Sequence, residues 1–187
     1  MRRVYVWDPF VRLFHWSVVA GVALAFLTED LRPVHKAVGF FVMGAVVLRV
    51  AWGFLGPRTA RFADFVRSPA EIWEYLRAHL RGEARPHLGH NPLGGMMVVA
   101  LLTVLLTVTI SGWMMTLDAF WGVEWVEDLH EAAANSLFLL VPLHLFGVVF
   151  SSLRERVNLV KAMITGYKEF APARRHGALE AGSNRAS

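Results

Sequence analysis

Four of the eight histidines in this 187-residue chain stand in or at the edge of long apolar runs. They are His15 in "RLFHWSVV", His35 in "PVHKAVGF", His130 in "EDLHEAAA" and His144 in "VPLHLFGV". Imidazole nitrogen is a ligand for zinc, copper, iron and nickel. An ionisable side chain inside a lipid-facing segment is costly enough to mark function. His130 and His144 are fourteen positions apart, close to four full turns, so they share one helix face about 21 Å apart along the axis. The other four, His79, His87, His90 and His176, fall in polar connecting segments and receive no metal role.

The elements that must position these imidazoles follow from hydropathy. The chain is 55% hydrophobic and only 18% charged, less charge than a soluble domain carries. Phe10 to Thr28 is interrupted only by Arg12 and His15, and Ala37 to Leu55 only by Arg49; Leu93 to Leu117 and Ala132 to Leu153 carry no charge. About 20 apolar residues cross a bilayer core, so the pattern predicts an all-α, four-helix transmembrane bundle with spans near 10–28, 36–55, 93–117 and 129–153. Ala23-Leu24-Ala25 lies inside the first run, which is therefore read as a retained span and not as a cleaved signal.

Arginine and lysine set the orientation. The N-terminal segment, the 56–92 connection and the region after Leu153 are basic, while the two other connections hold only Arg32 and Lys36 among Glu29, Asp30, Asp118, Glu124, Glu127 and Asp128. Both termini and the middle connection are expected in the cytoplasm of a bacterial inner-membrane protein, surrounded by lipid. The same asymmetry accounts for the net charge of +4, and it is not read as nucleic-acid binding. Within the middle connection, Ser68, Pro69 and Glu71 predict the start of an amphipathic surface helix with Trp73, Leu76 and Leu80 on one face. Asp128 and Glu131 predict the cap of the fourth span, and residues 171–187 are expected to be a disordered tail.

Topology then pairs the histidines by depth. The first helix runs outward, so His15 lies in the inner half; the second runs inward, so His35 lies near the outer surface. Each meets a counterpart on the fourth helix, His144 and His130 respectively, with tilt or a bend at Pro142 taking up the residual mismatch. Two facing pairs suit two b-type hemes, each iron six-coordinate and fitted for electron transfer. Zinc would need three or four ligands at one point, and each level supplies two. There is no cysteine, which excludes covalent c-type attachment and Cys-ligated clusters. Gly39 and Gly147, one turn from His35 and His144, leave room for a flat ring. Arg12, Lys36 and Arg49 are candidates for the propionates, Arg49 equally for snorkelling to the interface. Thr103, Thr107 and Ser111 form a stripe read as helix–helix hydrogen bonding first and a quinone or proton path second. Trp7, Trp16, Trp52, Trp113, Trp121 and Trp125 are read as interfacial anchors.

Several segments resemble the bacterial cytochrome b561 family: "WDPFVRLFHW", "HKAVGFFVMGAVVLRVAWGFLG", "LGHNPLGGMMV", "LHEAAANSLFLLVPLHLFGVVF" and "RVNLVKAMITGYK". The likeness runs from about Tyr5 to Lys168. It implies a four-helix membrane bundle with two non-covalent hemes, the axial histidines carrying over to His15, His35, His130 and His144. The family includes the cytochrome b subunits of nickel–iron hydrogenases and small stand-alone diheme cytochromes, and the compact length fits the latter or forms paired with c-type cytochromes. The expected function is respiratory electron transfer between a periplasmic c-type cytochrome or hydrogenase-like subunit and the quinone pool. The alternative is a self-contained quinone-linked oxidoreductase, such as a superoxide oxidase. A small-molecule transporter is disfavoured by four spans without broken-helix repeats.

Overall fold

The computed structural model describes residues 2–81 and 89–170; the expected tail, His87 and His176 lie outside them. Four helices are long and apolar enough to cross a membrane: α1 (Pro9–Leu27), α2 (Arg32–Leu55), α5 (Pro92–Met114) and α6 (Glu124–Glu155). Between α2 and α5 lie two short helices, α3 (Phe62–Phe65) and α4 (Pro69–Leu80). After α6 come α7 (Leu159–Thr165) and strand β2 (Tyr167–Phe170), which pairs antiparallel with β1 (Arg2–Tyr5).

Local chemistry explains most helix ends. Asp8 caps α1 by accepting from the Val11 amide at 3.1 Å, with Pro9 in the first turn. Thr28 closes that helix by donating its hydroxyl to the Leu24 carbonyl. Asn91 caps α5 through the Gly94 amide at 2.7 Å. Ser68 and Glu71 form the reciprocal box expected at α4, each accepting from the other's backbone amide. The cap expected at Asp128 is not used. Gly122 turns the chain at φ 70°, and α6 starts at Glu124 with no side-chain cap, leaving Asp128 inside the helix. The turn chemistry of glycine sets this boundary, ahead of the capping pattern.

The β1–β2 pair was not legible in the sequence. It ties the two ends of the described chain into one sheet, with Arg3 opposite Glu169 and Tyr5 opposite Tyr167. Lys161 and Arg3 flank the Glu169 carboxylate at 2.8 and 3.7 Å. Above this sheet a small core of Val6, Trp7, Val11, Ala60 and Ala162 closes the basic end of the bundle. Trp7 is 5% exposed, so it is a core residue there and not an interfacial anchor. Trp16, Trp113, Trp121 and Trp125 are exposed as anchors would be.

The main core is narrow: Val18, Val42, Val46, Leu102, Leu105 and Leu137, drawn from all four long helices. Large apolar side chains point outward instead, among them Leu13, Leu27, Leu55, Leu139 and Leu153. This is the distribution of a chain solvated by lipid. Helix α4 docks on α5. Ile72, Tyr75 and Leu76 are its partly buried side, while Trp73 is exposed under the Arg77 guanidinium, 5.1 Å from the ring centre. Trp73 and Leu76 therefore do not share the face that the periodicity suggested. The most extensive contacts between long helices run α1–α2, α2–α5 and α5–α6, so α6 is braced chiefly by α5.

Close approach requires glycine where α2 meets α3: a Cβ at Gly53 would overlap the Phe62 ring. Gly53→Leu is expected to cost about 1–3 kcal/mol by overpacking, read as a lower melting temperature of the detergent-purified protein; an unchanged melting curve would contradict the packing described.

Candidate functional site

The four apolar-run histidines meet as two pairs. His15 on α1 faces His144 on α6, ring centres 6.4 Å apart, and His35 on α2 faces His130 on α6 at 6.2 Å. An imidazole–metal bond of about 2.0–2.1 Å, plus roughly 1.1 Å from nitrogen to ring centre on each side, puts two axial imidazoles about 6.3 Å apart across one ion. Both pairs match that span. Among the described residues no cluster of three or more His, Cys, Asp or Glu could hold an ion. A porphyrin supplies four equatorial nitrogens and asks only two ligands of the protein.

The His35–His130 pair is oriented by backbone. His35 Nδ1 lies 3.0 Å from the Ala25 carbonyl and His130 Nδ1 lies 2.8 Å from the Val108 carbonyl. A carbonyl only accepts, so both rings carry their proton on Nδ1 and turn the Nε2 lone pair away from it. This is the second contact by which proteins fix the tautomer of a metal-binding histidine. Gly112 makes room for it: a Cβ there would lie 2.9 Å from His130 Cε1. Around the pair is a cavity of about 780 Å³, whose lining includes Gly39, Gly112, Arg32, Lys36 and both histidines. A Cβ at Gly39 or at Gly147 would meet nothing within 4 Å, as a flat ring beside them requires. Exposed Arg32 and Lys36, in the first two turns of α2, offer cations to carboxylates at this level.

The His15–His144 pair is set differently. His15 Nδ1 is buried without a hydrogen-bond partner, and the ring meets Trp16 edge-on at 5.0 Å. Arg12 lies one turn before it and donates Nη1 to the Ile164 carbonyl at 2.8 Å, while its Nε has no partner. Arg49 is 2% exposed, so it does not snorkel to the interface. Its Nη2 donates to the Ala60 carbonyl at 3.2 Å and its Nη1 is buried without a partner. Cationic donors with free, buried N–H groups fit a ligand bearing carboxylates. The polar stripe of α5 has another use than the one expected: the hydroxyls of Thr103, Thr107 and Ser111 donate to carbonyls four residues back on their own helix. Only Ser111 also touches another helix, 3.3 Å from His130 Nδ1.

Two levels of paired imidazoles in an apolar four-helix bundle agree with the family comparison, in which the model for prokaryotic cytochrome b561 matches residues 6–166. The chain belongs to the prokaryotic cytochrome b561 family. It is thus a multi-pass bacterial membrane cytochrome b of electron transfer, with heme b as its cofactor. Similar proteins include the probable Ni/Fe-hydrogenase B-type cytochrome subunits of Azotobacter vinelandii (25% identical, 89% of each chain covered) and Rhodobacter capsulatus (24%, covering 89% of this chain and 82% of the relative). The probable Ni/Fe-hydrogenase 1 B-type cytochrome subunit of Escherichia coli K12 is 21% identical over 88% of this chain and 90% of its own.

Sequence reasoning on this cytochrome missed Arg32, Gly112 and the two carbonyl anchors. Arg32 was visible as a cation three residues before His35, but was counted only toward topology. The carbonyls carry no residue signature, because any side chain at position 25 or 108 presents the same oxygen. Gly112→Val should push the His130 ring aside and lower the heme b bound per chain, whereas Gly44→Ala, where a Cβ meets nothing within 4 Å, should leave it unchanged. Heme content of the two purified variants checks this, and equal content would contradict the assigned role of Gly112.

Proposed function

We propose that this cytochrome holds two b hemes, one between His15 and His144 and one between His35 and His130, and carries electrons between a periplasmic redox partner and the quinone pool. The observation that carries the reading is the pair of imidazole gaps, 6.4 and 6.2 Å, each on the scale of one six-coordinate ion and built on different levels of α6. When bound, such hemes supply one-electron centres without an open site for oxygen. The residues do the rest. The Ala25 and Val108 carbonyls hold the outer imidazoles in register within a mainly apolar cavity. Arg12 and Arg49 would receive the propionates of the inner heme, and Lys36 with Arg32 those of the outer one.

The Lys/Arg distribution supports an orientation with both termini in the cytoplasm. That puts His15 and His144 at the cytoplasmic level, His35 and His130 at the periplasmic level, and Glu29, Asp30, Asp118, Glu124, Glu127 and Asp128 on the periplasmic face. An acidic rim suits a partner with a basic patch and speeds its encounter at low salt. A c-type cytochrome and a hydrogenase-like subunit are the two candidates, the second favoured by the names of the relatives.

The test is heme stoichiometry by pyridine hemochrome. Wild type should hold two hemes per chain, and His144→Ala and His35→Ala one each, with different residual spectra. Variants that both lose the same heme, or a wild type with one, would overturn the assignment of pairs. A reduced quinol added to membranes should reduce the heme of wild type; failure would remove the quinone from the reading.

A further inference from the structure

His90 belongs to neither pair, yet its setting is unlike that of a loop histidine. It directly precedes Asn91, the cap of α5, and its ring is held between Trp7 at 4.6 Å and Phe65 at 4.8 Å. Its Nδ1 is buried and has no hydrogen-bond partner. Burial first, then the charges of Arg49 on α2, Lys168 on β2 and His144 on α6, depress its pKa to about 3. The ring is therefore neutral, with one N–H to give. A buried polar nitrogen of this kind is rarely left unsatisfied in a native protein, so a persistent one asks for a partner.

Three features say what that partner is. The first is position: His90 lies at the basic end of the bundle, within electrostatic reach of His144. The second is company. Arg49 Nη1 and Arg12 Nε are also buried without partners, so N–H donors with two positive charges behind them stand open here, beside two unpartnered carboxylate oxygens, Asp8 Oδ2 and Glu155 Oε2. Asp8 faces Arg49 with one oxygen already taken by the Val11 amide and the other unpartnered. The third is fixation. Lys168, 2% exposed, donates Nζ to the Gly89 carbonyl at 3.1 Å and lies 3.9 Å from Glu155. It pins the backbone one residue before the imidazole, which makes the ring a preset donor. An anion with oxygen acceptors fits this set, and a heme propionate is an anion of that kind beside the inner pair.

We propose that His90, through Nδ1–H, joins Arg49 Nη1 in hydrogen-bonding a propionate of the inner heme. This rests on the diheme reading above. Such a donor stabilises the carboxylate charge locally, and less of that charge then acts on the iron. Removing it favours the ferric state and moves the inner midpoint to more negative potential.

The experiment uses His90→Phe, which keeps the ring between Trp7 and Phe65 but has no donor, and His90→Asn, whose amide restores one near Nδ1. Each is compared with wild type by redox titration in lipid nanodiscs and by resonance Raman of the propionate bending band. In H90F two hemes should remain, with the inner midpoint more negative, the outer midpoint unchanged and the propionate band shifted to lower frequency. H90N should return both readings toward wild type. An H90F protein with wild-type inner midpoint and band would overturn the proposal, as would one altered only in quinol oxidation. Should H90F not accumulate, H90N against His90→Gln carries the test, since the glutamine amide falls at the Nε2 position; identical inner-heme readings in the two would count against it. A wild type that lacks two bis-histidine hemes would instead defeat the underlying diheme reading, so the two failures are distinguishable.

Discussion

Everything in this bundle depends on holding α6 at a fixed distance from α1 and α2 at two levels. Lipid gives helices no hydrophobic reason to associate, so packing and polar contacts must set that distance. The solution is a chain of neighbours: α1 against α2, α2 against α5, and α5 against α6. Val18, Val42, Val46, Leu102, Leu105 and Leu137 form the narrow contact core at the centre. On α6 only Val126, Ala133 and Leu137 are buried, leaving one side of a 32-residue helix for the imidazoles. A ligand that bridges α6 to α1 and α2 would add tertiary contacts that the side chains alone do not make, which couples cofactor binding to stability.

The two levels are chemically unequal. At the acidic end the imidazoles are aimed by uncharged backbone oxygens, and cations stand at the exposed mouth of the cavity. At the basic end the fixing groups are charged and buried, with Arg49 and Lys168 each 2% exposed. Val6, Trp7, Val11, Ala60 and Ala162 pack together at the same end. The terminal strands bring Lys168 to the Gly89 carbonyl at the basic end of the bundle.

Much of this was legible because membrane helices obey strong rules. Four apolar runs gave four helices, and alternation of direction placed His15 with His144 and His35 with His130. Ser68, Pro69 and Glu71 form a local motif, and local motifs read well. Non-local features did not. RRVY and YKEF are too short to announce a sheet, and their pairing exists because α1 and α7 bring them together. Asp128 offered a good cap, yet Gly122 had already turned the chain. The threonine stripe showed periodicity but not hydrogen-bond direction, which the helix's own carbonyls won. His90 stood in a polar connection, where burial by Trp7 and Phe65 could not be foreseen.

The central claim is that imidazoles alone ligate iron in this chain. Seven methionines are present as rival axial ligands, so ligand identity is a real question. Near-infrared magnetic circular dichroism of the oxidised wild-type protein answers it directly, since the charge-transfer band differs between bis-imidazole and imidazole–thioether iron. The account predicts low-spin ferric heme with only the bis-imidazole band. A thioether band, or a high-spin fraction in intact protein, would contradict it.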